Sequence, residues 1–154
     1  MKLSSRLREK QLALAKLNEI LLQLENEICG LGVPLHKAFE KLSRMASNGA
    51  WTALLHALAN NMNERGTDAG MAWKQALEEA ACGLPFDPGE LGLLKDFGDM
   101  LGKSDRDMQL AILRMEKEKV MAMESRAKEA LATQGKLYRN LGALFGAAAV
   151  ILLI

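Results

Sequence analysis

Leucine and isoleucine recur at two positions of a heptad through the first thirty or so residues. Lys10 is the one interruption of this pattern. An apolar period of about 3.5 residues predicts a helix with a coiled-coil-like seam. We expect one long helix over 3–31 that packs against other helices of the same domain, with a dimeric coiled coil as the alternative. The two sets of positions are Leu7, Leu14, Leu21 and Ile28, and Leu3, Leu17, Leu24 and Leu31.

Five further segments with helical periodicity follow, separated by short turns. Hydrophobic residues make up 49% of the chain and aromatic residues 5%, and runs of β-branched residues are missing. This composition predicts an all-α protein. Short turns between amphipathic helices favour antiparallel packing. The sequence therefore predicts an antiparallel bundle of about six helices, followed by a C-terminal transmembrane helix. The five segments are 34–47, 50–64, 68–82, 88–101 and 105–134.

Capping residues mark where two of these helices begin. Asp87, Pro88 and Glu90 form a capping-box pattern with proline at the first helical position. Ser104 and Asp107 repeat that spacing before the last helix. Methionines complete several of the predicted buried faces, namely Met45, Met62, Met71, Met108, Met115 and Met123. Val120 and Ala127 continue the predicted buried face of the last helix.

Residues 140–154 carry no charge. Fifteen helical residues span about 22 Å, less than the ~30 Å hydrocarbon core, so length alone favours a buried helix. The segment is nevertheless apolar on every side and follows Lys136 and Arg139, which favours a membrane anchor with its N-terminal side in the cytoplasm. We expect a cytoplasmic helical bundle over 1–137 and a C-terminal anchor over 138–154.

The charge balance excludes some function classes. Twenty Lys and Arg stand against nineteen Asp and Glu, so no global field indicates nucleic-acid binding. MKLSSRLREK lacks the apolar region of a signal peptide.

The chain has two cysteines, Cys29 and Cys82. Both lie on apolar helical patterns, and we expect buried free thiols, with a disulfide as the minority alternative.

Catalytic and metal-binding patterns are weak. His36 and His56 lie among ordinary helical neighbours, and the chain has no close Cys or His pair on which a zinc site nucleates. The Gly98–Ser104 segment is one residue shorter than a phosphate-binding loop and follows no strand. We expect no enzyme activity, no cofactor and no metal.

Two glycines stand at one predicted helix end. Gly102 has the position of a C-terminal glycine in a left-handed conformation. Gly98 lies one turn earlier, where a glycine allows another backbone to approach closely. We expect a neighbouring helix of the same bundle there, with a partner protein as the alternative. We expect alanine at Gly98 to be nearly neutral if there is room, and leucine to overpack the contact.

Several segments together resemble the stage III sporulation protein AB family. They are QLENEI (23–28), a Gly-Val-Pro-Leu helix start (32–35), LLKDFGDMLGKSDRDMQ (93–109) and KLYRNLGALFGAAAVILLI (136–154). The resemblance covers nearly the whole chain, and Phe97–Asp105 is its most specific part.

The resemblance implies a membrane protein of endospore-forming bacteria. Its cytoplasmic domain would be similar to that of type II secretion and type IV pilus platform proteins. It would lie in the mother-cell membrane around the forespore and bind the sporulation secretion-type ATPase (stage III sporulation protein AA) and other membrane subunits of the same complex. Family members also carry an N-terminal apolar helix, so either that segment has been removed here, which we favour, or this member has only the tail.

Candidate partner-binding residues cluster at the turn between the last two predicted helices. Lys103, Asp105 and Arg106 surround Gly102 and Ser104, and charges on a rigid turn select partners at little entropic cost. Gly98 belongs to the same stretch, and Glu25 with Glu27 forms a second candidate. Solvated charges or caps are the alternative for each. A platform subunit of a type II secretion or type IV pilus-like system outside sporulation is the alternative function.

Overall fold

The computed structural model describes residues 2–44, 49–65 and 68–153. Six α-helices and no strands occur in these residues, so the all-α prediction is confirmed. A π-helical turn over Asn26–Gly30 extends the first helix, and a 3-10 turn over Ala81–Gly83 extends the fourth. The helices are α1 (Lys2–Glu25), α2 (Leu35–Arg44), α3 (Thr52–Arg65), α4 (Ala69–Ala80), α5 (Pro88–Gly102) and α6 (Arg106–Leu153).

The heptad seam of α1 forms much of the core, and α1 packs mainly along α6. The prediction of a bundle helix is therefore confirmed. Leu31 is 69% exposed because it lies beyond the π-helical turn, where the helix has ended, so its place in the seam was wrong. Lys10, the interruption, forms an ion pair with Glu90 of α5 at 2.8 Å. The buried seam residues are Leu14, Leu17, Leu21, Leu24 and Ile28.

Polar contacts fix the register of α1 against α6. Glu25 contacts Arg114 and Lys117 of α6, whereas Asn18, which is earlier in α1, donates to Glu124, which is later in α6. The two helices are therefore antiparallel. Since both rise about 1.5 Å per residue, the start of α1 is level with about Leu137.

The α6 helix continues without a break through 137–138 to Leu153, and its last turns are exposed. Among the described residues, α6 is the one helix with a stretch long and apolar enough to cross a membrane, and none of that stretch is buried. By the register with α1, residues after about Leu137 extend beyond the bundle. The bundle and the apolar stretch therefore share one helix.

Several predicted buried methionines are exposed. Met108 is 56% and Met115 49% exposed, because Leu113, Val120 and Ala127 occupy the inward face of α6. In a helix with apolar residues on more than one side, the neighbouring helices select which side is buried. Met71 is also exposed at 51%, whereas Ala72, Trp73, Ala76 and Leu77 beside it are buried. Met45 lies outside the described residues.

The helix caps follow the sequence closely, with one exception. Asp87 and Glu90 form the predicted capping box, and Asp68 caps α4 by accepting from the Met71 N–H at 2.8 Å. The α6 cap is Asp105, which accepts from the Met108 N–H at 2.9 Å. The prediction of Ser104 for this role was wrong, because its hydroxyl donates back to the Met100 carbonyl.

Both cysteines are free thiols, and both are exposed. The expectation that they are buried was wrong. Cys29 lies in the π-helical turn after α1 and Cys82 in the 3-10 turn after α4. Each is inside the predicted helical segment but past the end of the observed α-helix, which is Glu25 for α1 and Ala80 for α4.

Candidate partner-binding surface

The two glycines of α5 lie against α4. A Cβ placed on Gly98 would be 2.0 Å from Cδ1 of Trp73 and 2.7 Å from its Cγ. The side chain of Trp73 therefore occupies the space that any larger residue would need. The prediction of close approach by a helix of the same bundle is confirmed. The room on which a nearly neutral alanine depended does not exist beside the indole.

Gly102 serves the same helix crossing. A Cβ on Gly102 would be 2.7 Å from Cα of Gly70, and one on Gly70 would be 2.9 Å from the carbonyl oxygen of Gly98. The three glycines bring the first turn of α4 into backbone contact with the last turns of α5. Gly102 is the last residue of α5, and the positive φ angles of the described residues do not include it. Its predicted left-handed conformation was therefore wrong.

Trp73 is the anchor of this crossing. Its indole N–H donates to the Leu94 carbonyl at 2.8 Å. The ring stacks on Phe39 at 5.7 Å between centroids and meets Phe97 edge to face at 5.8 Å. Buried aromatic contacts of this kind contribute beyond area burial alone. The position of α5, and with it the turn that follows, is thus fixed by α4 and α2.

We call Lys103, Ser104, Asp105 and Arg106, the four residues between α5 and the body of α6, the α5–α6 corner. Their backbone is held from the α6 side by Gln109, whose side-chain amide donates to the Leu101 and Ser104 carbonyls at 3.3 and 3.2 Å. A turn held in this way presents its side chains at little conformational cost.

Arg106 fastens the corner to the end of α1. Its Nη2 donates to the Gly32 carbonyl at 2.7 Å. Gly32 adopts φ +69°, the left-handed region that favours glycine. A Cβ there would be 3.4 Å from the Arg106 guanidinium. The corner and the α1–α2 turn therefore form one surface at the same end of the bundle.

The outward side of this surface combines charge with exposed thioethers. The Lys103 side chain is 77% exposed and forms an ion pair with Asp99 at 3.3 Å. Met100 and Met108, on either side of the corner, are 39% and 56% exposed. Flexible methionine side chains adapt well to a partner surface. Lys103, Met100 and Met108 are thus available for contact.

Glu25 belongs to the α1–α6 interface. It accepts from Lys117 and lies 3.4 Å from Nε of Arg114, and its side chain is 17% exposed. The hydrogen bond from Lys117, with the positive charges of Lys117 and Arg114, holds the pKa of Glu25 below its usual value despite partial burial.

Glu27 also pairs within the chain. Its residue is 7% exposed, and its carboxylate accepts from Lys41 of α2 at 2.9 Å. The structure thus uses both members of the second candidate pair to join α1 to other helices.

Groups suited to catalysis are scattered. His36 and His56 are exposed on different helices, and the described residues contain no cluster of three or more His, Cys, Asp and Glu able to hold a metal. Glu116 is buried like Glu27, with 5% exposure, on the inward face of α6. Burial raises its pKa, and the charge of Lys119 opposes that rise only in part.

The residues that hold the corner were not predicted from the sequence. Gln109, Gly32 and Gly70 act through contacts between distant parts of the chain, for which one sequence gives no signal. Trp73 gave a partial signal, because a tryptophan beside small residues in a helix is a natural packing centre.

Comparisons with known proteins agree along the chain. The family model described as stage III sporulation protein AB matches residues 1–154. Stage III sporulation protein AB of Bacillus subtilis (strain 168) is 29% identical over 146 residues, which cover 95% of this chain and 85% of the relative. A solved structure of stage III sporulation protein AB matches with a TM-score of 0.71 and 27% identity, over 80% of this chain and 97% of the solved one. The resemblance in the sequence is confirmed, and the chain belongs to the stage III sporulation protein AB family.

Proposed function

We propose that the protein is a non-enzymatic, membrane-anchored platform subunit of the complex between mother cell and forespore. Membership of a sporulation family supports this function over a secretion or pilus platform outside sporulation. In this proposal, residues 138–154 anchor the protein in the mother-cell membrane around the forespore, with residues 1–137 in the cytoplasm, beside other membrane subunits.

The observation that carries the proposal is the single α6 helix that joins the bundle to its apolar stretch. From Arg106 to Asn140 the α6 helix, which rises about 1.5 Å per residue, covers about 51 Å. The α5–α6 corner is therefore at the end of the bundle opposite the apolar stretch. A soluble partner would reach the corner without approaching the bilayer.

In the same proposal, the corner binds the sporulation secretion-type ATPase, stage III sporulation protein AA. Lys103, Met100 and Met108 supply exposed contacts, whereas Asp105 and Arg106 hold the turn through the α6 cap and the Gly32 carbonyl. Ser104 and Gly102 shape the turn. Gly98, Glu25 and Glu27 support the surface from inside.

Binding to the purified ATPase tests the corner. Lys103→Glu with Met108→Ala should weaken binding by about 10-fold or more, as expected for central interface residues. Both side chains are exposed, so the midpoint of urea unfolding should stay unchanged. Arg126→Glu, at an exposed arginine of α6 about 30 Å from the corner, is the control with the same charge change. Equal binding by the corner variant and the wild type would contradict the proposed surface.

A further inference from the structure

Three parts of the chain meet at the end of the bundle nearest the apolar stretch: the start of α1, the turn after α4 and the α6 helix. One cleft is lined by Ser5, Arg6 and Glu9 of α1 together with the turn Cys82–Pro85 after α4. By the register of α1 against α6, Arg6 is level with about Gln134, which is six residues or about 9 Å from Asn140. This end is therefore close to the point where the uncharged stretch begins, at a distance that a long Arg or Lys side chain can span.

Positive charge is concentrated at this end. Residues 2–10 contain four Lys or Arg and one Glu, and residues 126–139 contain four Lys or Arg and one Glu, in a chain whose net charge is only +1. Asp87 and Glu90 of the nearby α5 start are used in the capping box, and Glu90 also pairs with Lys10. Because the two segments are each net positive by three and the chain by only one, the other residues together are net negative.

Several of these cations have no carboxylate partner. Arg6, Arg8 and Lys136 are exposed and make no ion pair with any residue that the structure describes. Arg139 is also exposed, and its Nε donates at 3.4 Å to the Gly135 carbonyl of its own helix. Glu9 and Glu129 are exposed in the same region. The unpaired cations outnumber them.

We propose that Arg6 and Arg8 of α1, with Lys136 and Arg139 of α6, form a cationic collar that binds anionic phospholipid headgroups. The inference depends on the proposed function, since it requires the stretch after Arg139 to be in a bilayer. Basic side chains next to a membrane helix are attracted to anionic lipid within a Debye length, about 8 Å at physiological salt. The collar seats the base of the bundle on the headgroups, which holds the α5–α6 corner away from the membrane.

The two native cysteines provide matched reporters. Cys82 lines the cleft with Arg6, whereas Cys29 is in the turn at the other end of α1. By the same register, Cys29 is about 45 Å from the level of Asn140. Both thiols are exposed. Cys29→Ser and Cys82→Ser each leave one thiol for a fluorescent label.

The test uses the full chain in phosphatidylcholine vesicles, with or without phosphatidylglycerol, that contain a headgroup nitroxide lipid. We expect the label on Cys82 to be quenched more strongly in the anionic vesicles, and the label on Cys29 to be quenched in neither. The extra quenching should be lost in about 1 M NaCl, where the Debye length is ~3 Å. Arg6→Gln with Arg8→Gln should abolish most of it, and Lys37→Gln with Lys119→Gln should not.

Flotation of the same samples separates the two proposals. Equal quenching of Cys82 in neutral and anionic vesicles, or no effect of the Arg6 and Arg8 substitutions, would overturn the collar while the chain still floats. Failure to float with vesicles of either composition would overturn the anchor and the collar together.

Discussion

At Gly98 the difference between a hydrogen and a methyl group decides how closely α4 and α5 can approach. A Cβ on residue 98 would be 2.0 Å from Cδ1 of Trp73, so the ring would have to move and lose its hydrogen bond to the Leu94 carbonyl. The sequence indicates the close approach, because a glycine in a helix interior lowers helix stability and is expected only where packing requires it. It could not identify Trp73 as the neighbour, since that contact depends on how two helices cross.

Gly98→Ala should therefore lower the free energy of unfolding by about 1–3 kcal/mol, the usual cost of overpacking a well-packed core. Gly92 of the same helix is the control, because a Cβ there has no neighbour within 4 Å. Gly92→Ala should raise stability by up to about 1 kcal/mol through helix propensity alone. Urea unfolding of both variants measures the difference. Two equal gains would show that Trp73 leaves room at Gly98.

At the scale of single helices, features that depend on neighbouring residues in the sequence were predicted correctly, and features that depend on packing against other helices were not. The capping box at Asp87 and Glu90 was predicted correctly, because all its groups lie within four residues. The buried face of α6 was predicted only in part: Val120 and Ala127 are buried as expected, but Met108 and Met115 are exposed. Several faces of that helix are apolar, and only packing against α1 selects one of them.

Two carboxylates on the paired helices α1 and α6 have opposite effects on stability, Glu116 of α6 and Glu25 of α1. Burial raises the pKa of Glu116, so this group lowers the stability of the fold as the pH rises above the unfolded pKa, and the loss is complete once the pH is above the pKa of the folded state. Glu116→Gln should therefore stabilise the protein at pH above that value, and the gain should shrink as the pH falls. Urea unfolding over a pH series measures it. A variant less stable than the wild type at neutral pH would show that the charge is compensated.

Glu25 should behave in the opposite way. Lys117 lowers its pKa, so the contribution of Glu25 is present above its unfolded pKa and is lost as the pH falls through the folded value. Glu25→Gln should destabilise the protein at neutral pH and have progressively less effect in acid. The same pH series applies, with Glu19→Gln as a control at an exposed α1 position that pairs only with Lys16 three residues away. No loss at neutral pH would mean that the α6 cations do not stabilise the ionised carboxylate.

For the whole molecule, the decisive feature is that α6 belongs to both the bundle and the apolar stretch. The buried core lies before residue 128, and the residues from Gly135 to Leu153 are exposed. The sequence shows the uncharged stretch directly, and the membrane anchor was predicted from its composition and from the basic residues before it. Its direct continuity with the bundle, and its place at the end opposite the α5–α6 corner, follow from the antiparallel register of α1 and α6.

Membrane fractionation of the full chain and of a chain ending at Leu137 tests whether this stretch anchors the bundle. Washing with high salt and alkaline carbonate removes proteins held by charge alone. We expect the full chain to stay with the membranes and the shortened chain to be released, with helical circular dichroism retained because the core is intact. A shortened chain that stays in washed membranes, or a full chain that is washed off, would contradict anchoring by α6.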